Sequence, residues 1–169
     1  PLQIMFPMVG SLADIRKAKE YLNLAKEQLK ERKQQFDEQI RIGIMIEIPA
    51  IALIADLAAE EVDFASIGSN DLTQYLSAAD RMNPEVAAYY KSDSTAMLRL
   101  LGFVFREFSK REKEISVCGE RAGNPETAQL LVGLGARKLS MSSGNIAGVK
   151  AKLAECTLQE LTALAEKKL

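Results

Sequence analysis

Residues 42–48 read IGIMIEI, an almost unbroken apolar and β-branched run closed by Pro49. A strand with so little polar alternation is one covered on both faces, the condition of strands in a parallel sheet, and the proline marks where pairing stops. Four more short runs resemble it: QIMFPM at 3–8, FASIG at 64–68, ISVC at 115–118 and KLSM at 138–141. The stretches between them read as helices. Residues 12–36 place Leu12, Ile15, Leu22, Ala25, Leu29 and Phe36 at helical spacing behind Ser11 and Asp14. Helices at 50–60, 72–77, 95–111 and 125–133 follow, and a capping box of Thr157 and Glu160 opens a last one. Five strands alternating with helices predict right-handed βαβ units and an α/β fold with a parallel sheet. The pattern leaves open whether that sheet is flat or closed into a barrel.

Composition narrows the function. At 47% apolar residues, 169 residues bury a core of their own, as one compact domain or a piece of a larger one. Lys and Arg number 22 against 23 Asp and Glu, with no basic run, so a nucleic-acid partner is not expected. No apolar stretch reaches the length of a membrane span and residues 1–9 lack the pattern of a secretory signal, so no membrane association and a cytoplasmic location are expected. Cys118 and Cys156 lie far apart and match no metal-binding spacing. The chain has no histidine. That removes the usual general base and any phosphohistidine, and leaves carboxylates, Arg, Asn and Cys to carry chemistry.

The unusual polar residues share one location. Glu47, Asn70, Asp71, Cys118 and Glu120 all fall at or just past the C-terminal ends of predicted strands, the rim on which parallel α/β folds build sites. Glu47 sits among apolar neighbours, so its carboxylate needs either a cation or a nearby Lys or Arg. Asp71 taken alone reads as a helix cap before it reads as a ligand. Taken together, two carboxylates on neighbouring strand ends form a hard anionic pair of the kind that holds Mg²⁺ beside a phosphate. Arg81, in the helix-breaking DRMNP segment, either forks onto a phosphoryl group or pairs with Asp80. Cys118 is followed by Gly119, which lets a ligand approach the backbone, but a buried cysteine is also an ordinary core residue. Cys156 reads only as the latter.

Three segments in order, IGIMIEIPA, EVDFASIGSNDLTQYLSAADRMN and VCGERAGNPETAQLLVGLGARKLSMS, resemble the C-terminal phosphoenolpyruvate-binding domain of enzyme I of the bacterial sugar phosphotransferase system. Pyruvate phosphate dikinases and phosphoenolpyruvate synthases share that core. The resemblance implies a (β/α)8 barrel of which residues 1–169 are a single partial domain, the C-terminal five strand-helix units, truncated at the N-terminus. It implies that Glu47 and Asp71 ligate Mg²⁺, that Asn70 and Arg81 contact the substrate phosphate, and that Cys118 is the catalytic group moving a proton at C3 of the enolate. The implied activity transfers the phosphoryl group of phosphoenolpyruvate to an enzyme histidine and on to a histidine-containing phosphocarrier protein. Pyruvate is released. Both the histidine and the carrier contact belong to sequence outside these residues, so the fragment alone is expected to be inactive, and a homodimer is expected. A paralogue serving dihydroxyacetone kinase or nitrogen regulation, or a non-catalytic dimerisation or sensing module, are the competing expectations. Ser69 stands where the family often has Thr and Met82 where it often has Gly; 91–95 lacks the usual prolines.

Overall fold

Each apolar run pairs with the next one along the chain. The computed structural model describes residues 2–91 and 93–169. In it β1 (Gln3–Phe6), β2 (Arg41–Ile46), β3 (Phe64–Gly68) and β4 (Glu114–Cys118) form one parallel sheet in the order β1-β2-β3-β4. The fifth predicted strand is reduced to a single parallel bridge between Leu139 and Val117. Val117 N–H donates to the Lys138 carbonyl at 2.9 Å, and Ser140 N–H to the Val117 carbonyl at 2.8 Å. The segment is hemmed in by a turn at Gly135 (φ 121°) and by a helix beginning at Ser143, which leaves room for one rung only.

Side chains alternate across the sheet. Ile44, Ile46, Ala65, Ile67 and Val117 point to one face and join the core beneath α1 (Leu12–Glu31), α2 (Pro49–Leu53), α3 (Ala55–Glu61) and α5 (Thr95–Lys110). Met5, Met45, Phe64, Ser66 and Ser116 point the other way and line an open concavity of about 640 Å³. Among the described residues the 42–48 run is therefore roofed by helices on one side only. Its second face looks into the concavity.

Three helices end on a left-handed residue that is not glycine, and only the first of them stops well short of its expected boundary. The helix expected over 12–36 stops at Glu31, where Lys33 takes a left-handed conformation (φ 53°). Lys33 N–H then donates to the Lys30 carbonyl and Gln34 N–H to the Leu29 carbonyl, both at 2.9 Å. This is a Schellman closure without its usual glycine. Ala78 (φ 50°) closes α4 (Ser69–Ser77), and Glu112 (φ 53°) closes α5, in the same way. The helix expected at 50–60 is broken at Ile54 into α2 and α3. Behind β4, α6 (Pro125–Leu134) packs against α7 (Ser143–Ala154) and α8 (Leu158–Glu166). The Thr157 and Glu160 capping box forms with both of its bonds. Helix α7 was not expected, since its two glycines and weak periodicity disguise it.

Glu107 on α5 is a charged residue only 7% exposed. Its carboxylate accepts from Lys110 at 2.9 Å, Arg111 at 3.2 Å and Arg106 at 3.3 Å, and Arg111 also reaches Glu60 at 3.0 Å. The Lys110 ammonium, then Arg106 and Arg111, hold the Glu107 carboxyl below the ordinary carboxylate range against the opposing effect of burial. A folded-state pKa below the unfolded one stabilises the fold above the unfolded value, about 4.3, and that contribution disappears as the pH falls through the lowered one. Thermal melts between neutral and strongly acid pH are expected to show this loss, with a shallower pH dependence in Glu107→Gln. Glu61 and Glu114, held low chiefly by Lys19 and Lys138, account for part of the remaining slope.

Candidate functional site

All the predicted site residues lie at the C-terminal end of the sheet. Glu47 immediately follows β2 and is 4% exposed. Met8, in the loop after β1 with φ 55°, donates its N–H to Glu47 Oε1 at 2.7 Å. Glu47 Oε2 faces Gly68 so closely that a Cβ there would come within 2.8 Å of it. The glycine makes space for the carboxylate. Among the described residues no Lys or Arg forms an ion pair with Glu47, so the rim-pairing alternative is not realised. A buried carboxylate with one backbone donor is under-compensated.

Asn70 and Asp71, which precede the helix expected at 72–77, occupy the first turn of α4, which starts directly from β3. Gly68 is the N-cap and offers no side-chain cap, so Asp71 does not serve as one. It lies instead in the helix's positive first turn, where a carboxylate is favoured. Arg81 reaches back from the loop after α4 to place Nη1 3.3 Å from Asp71 Oδ1, and its N–H donates to Gln74 Oε1 at 3.1 Å. Asp80, the alternative partner for Arg81, accepts the Met82 N–H instead.

Cys118 ends β4 directly opposite Gly68 in the strand register. Its half-buried thiol donates to the Ile67 carbonyl at 3.3 Å. Gly119 has φ 112°, and a side chain there would overlap the Ser69 hydroxyl and press on Asn70 Oδ1. Ser69 in turn donates to the Cys118 carbonyl at 2.8 Å. The structure thus interlocks Glu47 with Gly68, and Gly119 with Ser69 and Asn70. A cavity of about 380 Å³ opens beside Cys118, lined also by Glu120, Ser140, Ser142 and Asn145.

Two contributors escaped the sequence reading. Ser69 ties two strand ends together, and Tyr90 donates its hydroxyl to the Asn70 carbonyl at 3.1 Å. Burial pushes the Tyr90 phenol above its ordinary value, opposed by the nearby Arg81 and Arg121. Neither residue belongs to a local pattern that signals its role. Asn145 lies on the unexpected α7.

No group of three or more His, Cys, Asp and Glu side chains able to hold a metal ion occurs among the described residues. Among the described residues the donors are two carboxylates at one sheet end, Glu47 buried with one oxygen free of hydrogen bonds, and Asp71 paired with Arg81. All-oxygen donors that leave most positions to water and ligand oxygens suit Mg²⁺ and not a soft metal.

The chain is thus an α/β domain whose parallel sheet carries two carboxylates and a thiol at one rim, with an arginine paired to one of the carboxylates. The chain belongs to the PEP-utilising enzymes: the family described as PEP-utilising enzyme, PEP-binding domain, matches residues 1–158. Multiphosphoryl transfer protein 2 of Escherichia coli is 45% identical over 94% of this chain and 19% of its own length. The phosphoenolpyruvate-protein phosphotransferases of Bacillus subtilis and Staphylococcus aureus are 41% and 42% identical over 98% of this chain and 29% of theirs. The chain therefore spans less than a third of the relatives it matches.

Proposed function

We propose that these residues form the phosphoenolpyruvate- and Mg²⁺-binding part of a phosphoenolpyruvate-protein phosphotransferase of the enzyme I type. The observation that carries the reading is the buried Glu47, uncompensated by any cation among the described residues and set beside a glycine that leaves its carboxylate room. Glu47 and Asp71 hold Mg²⁺. When bound, the ion supplies charge stabilisation to the phosphoryl and carboxylate oxygens of the substrate. Asn70 and Arg81 orient the phosphoryl group, the guanidinium forking onto its oxygens. The bond from phosphorus to the enol oxygen breaks as a bond to a histidine nitrogen forms, that histidine lying in sequence beyond these residues. The enolate left behind takes a proton at C3 from the Cys118 thiol and becomes pyruvate, leaving a thiolate.

The same reading closes the sheet into a (β/α)8 barrel, with strands outside these residues covering the concave face and the segment at Leu139 continuing as the fifth of five units. A bare face lined by Met5, Met45 and Phe64 and an unpaired edge at β1 support it, since parallel sheets are ordinarily covered on both sides. Homodimer formation, transfer to a histidine-containing phosphocarrier protein and a cytoplasmic location belong to the proposal. Among the described residues no helix is long and apolar enough to cross a membrane.

The test is the Mg²⁺ dependence of Glu47→Gln in the full-length enzyme. Losing even an outer-sphere partner of a metal costs about 10- to 100-fold in affinity, so the half-saturating Mg²⁺ concentration is expected to rise at least tenfold. An unchanged Mg²⁺ dependence of pyruvate formation overturns the assignment.

A further inference from the structure

We infer that Tyr90 is a positioning residue that holds Asn70 and Arg81 in place for the substrate phosphate. The inference rests on the proposed roles of those two residues. Arg81 lies on an irregular loop, and its ion pair with Asp71 joins side chains 40% and 35% exposed. An exposed pair of this kind fixes little, and its worth is about 0–1 kcal/mol. If Asp71 ligates a cation, that partner is also shared. Something else must restrain the loop.

Side-chain-mediated hydrogen bonds that leave the 79–91 segment number two among the described residues, and both end on α4. One is Arg81 N–H to Gln74. The other is the Tyr90 hydroxyl, which crosses 20 residues of sequence to reach the Asn70 carbonyl at 3.1 Å. The Arg81 guanidinium lies close enough to the phenol to act on its titration, as does Arg121 from the turn after β4. Tyr90 thus contacts Asn70 directly and lies near Arg81. The neighbouring Tyr89 shows the contrast: it is 70% exposed. A protonated phenol suits the task because it donates to the carbonyl without adding a negative charge beside an anionic ligand.

The experiment compares Tyr90→Phe, Tyr89→Phe, Arg81→Lys and the Tyr90→Phe/Arg81→Lys pair in the full-length enzyme, measuring KM for phosphoenolpyruvate, kcat and Tm. One neutral hydrogen bond is worth roughly a three- to tenfold effect. Tyr90→Phe is expected to raise KM by that factor with a smaller change in kcat, Tyr89→Phe to leave KM alone, and the Tyr90 effect to shrink in the Arg81→Lys background, since coupled residues do not add. A lowered Tm with unchanged KM in Tyr90→Phe makes the residue merely structural and overturns the inference while Arg81→Lys still raises KM. If Arg81→Lys leaves KM unchanged, the phosphate-binding reading fails and the role of Tyr90 with it.

Discussion

Cys118→Ala is expected to lower pyruvate formation by the full-length enzyme about 10²- to 10⁴-fold, the range lost when a positioned proton donor or acceptor is removed. The chain offers no histidine to take over, and the thiol sits at a strand end in register with Gly68 and within reach of a cavity. Alanine is smaller than cysteine and the position is half-buried, so folding is expected to survive. Cys118→Ser separates geometry from acidity. A hydroxyl keeps the bond to the Ile67 carbonyl but gives up its proton far less readily, and it is expected to recover little of the rate. A coupled assay of pyruvate release, alongside a separate measure of enzyme phosphorylation, checks both. Wild-type pyruvate formation by Cys118→Ala would remove Cys118 from the mechanism.

The largest expected effect on the fold comes from Gly133→Ala. Helices α6 and α8 meet at this glycine, where an added Cβ would overlap the Leu161 carbonyl and approach the Ala165 Cβ to 3.0 Å. The obstacle is backbone, which no rotamer change relieves, and Leu161 and Ala165 are among the buried residues of α8. Overpacking of this kind costs about 1–3 kcal/mol, occasionally more. The expected result is a lower Tm with fast amide exchange across 158–166 as α8 lifts away. Gly144→Ala is the control, since nothing lies within 4 Å of its added Cβ, and helix propensity alone favours the alanine. Equal exchange in the two variants would show that α8 does not depend on close approach at Gly133.

Four of the five strands were legible as short apolar runs, the fifth forming one bridge only, and the capping box was legible because its two residues lie three apart. The end of α1 was harder to read, because Lys33 adopts the left-handed conformation with its side chain in place and nothing in the sequence marks it, whereas the ends of α4 and α5 fall where the pattern put them. Glu47 stood out as a carboxylate inside an apolar run, and its isolation from Lys and Arg agrees with that prominence. The partner of Arg81 could not be read, because Asp80 is its neighbour in sequence and Asp71 its neighbour in space. Tyr90 was invisible for a related reason: its hydroxyl matters only once the loop has folded back onto α4.

The strand order has a consequence for how the domain assembles. Because β1-β2-β3-β4 follows the chain, each strand lands on an edge that already exists, and no finished pair is reopened to admit a later one. A chain emerging from the ribosome can therefore grow the sheet in one direction, the N-terminal part first. The closures are unequal. Pairing Gly43 with Phe64 spans far less chain than pairing Phe64 with Glu114, and loop entropy rises with length by about 0.6 kcal/mol per doubling. Chain entropy thus favours Glu47 reaching Gly68 before Cys118 has a neighbouring strand to stand against.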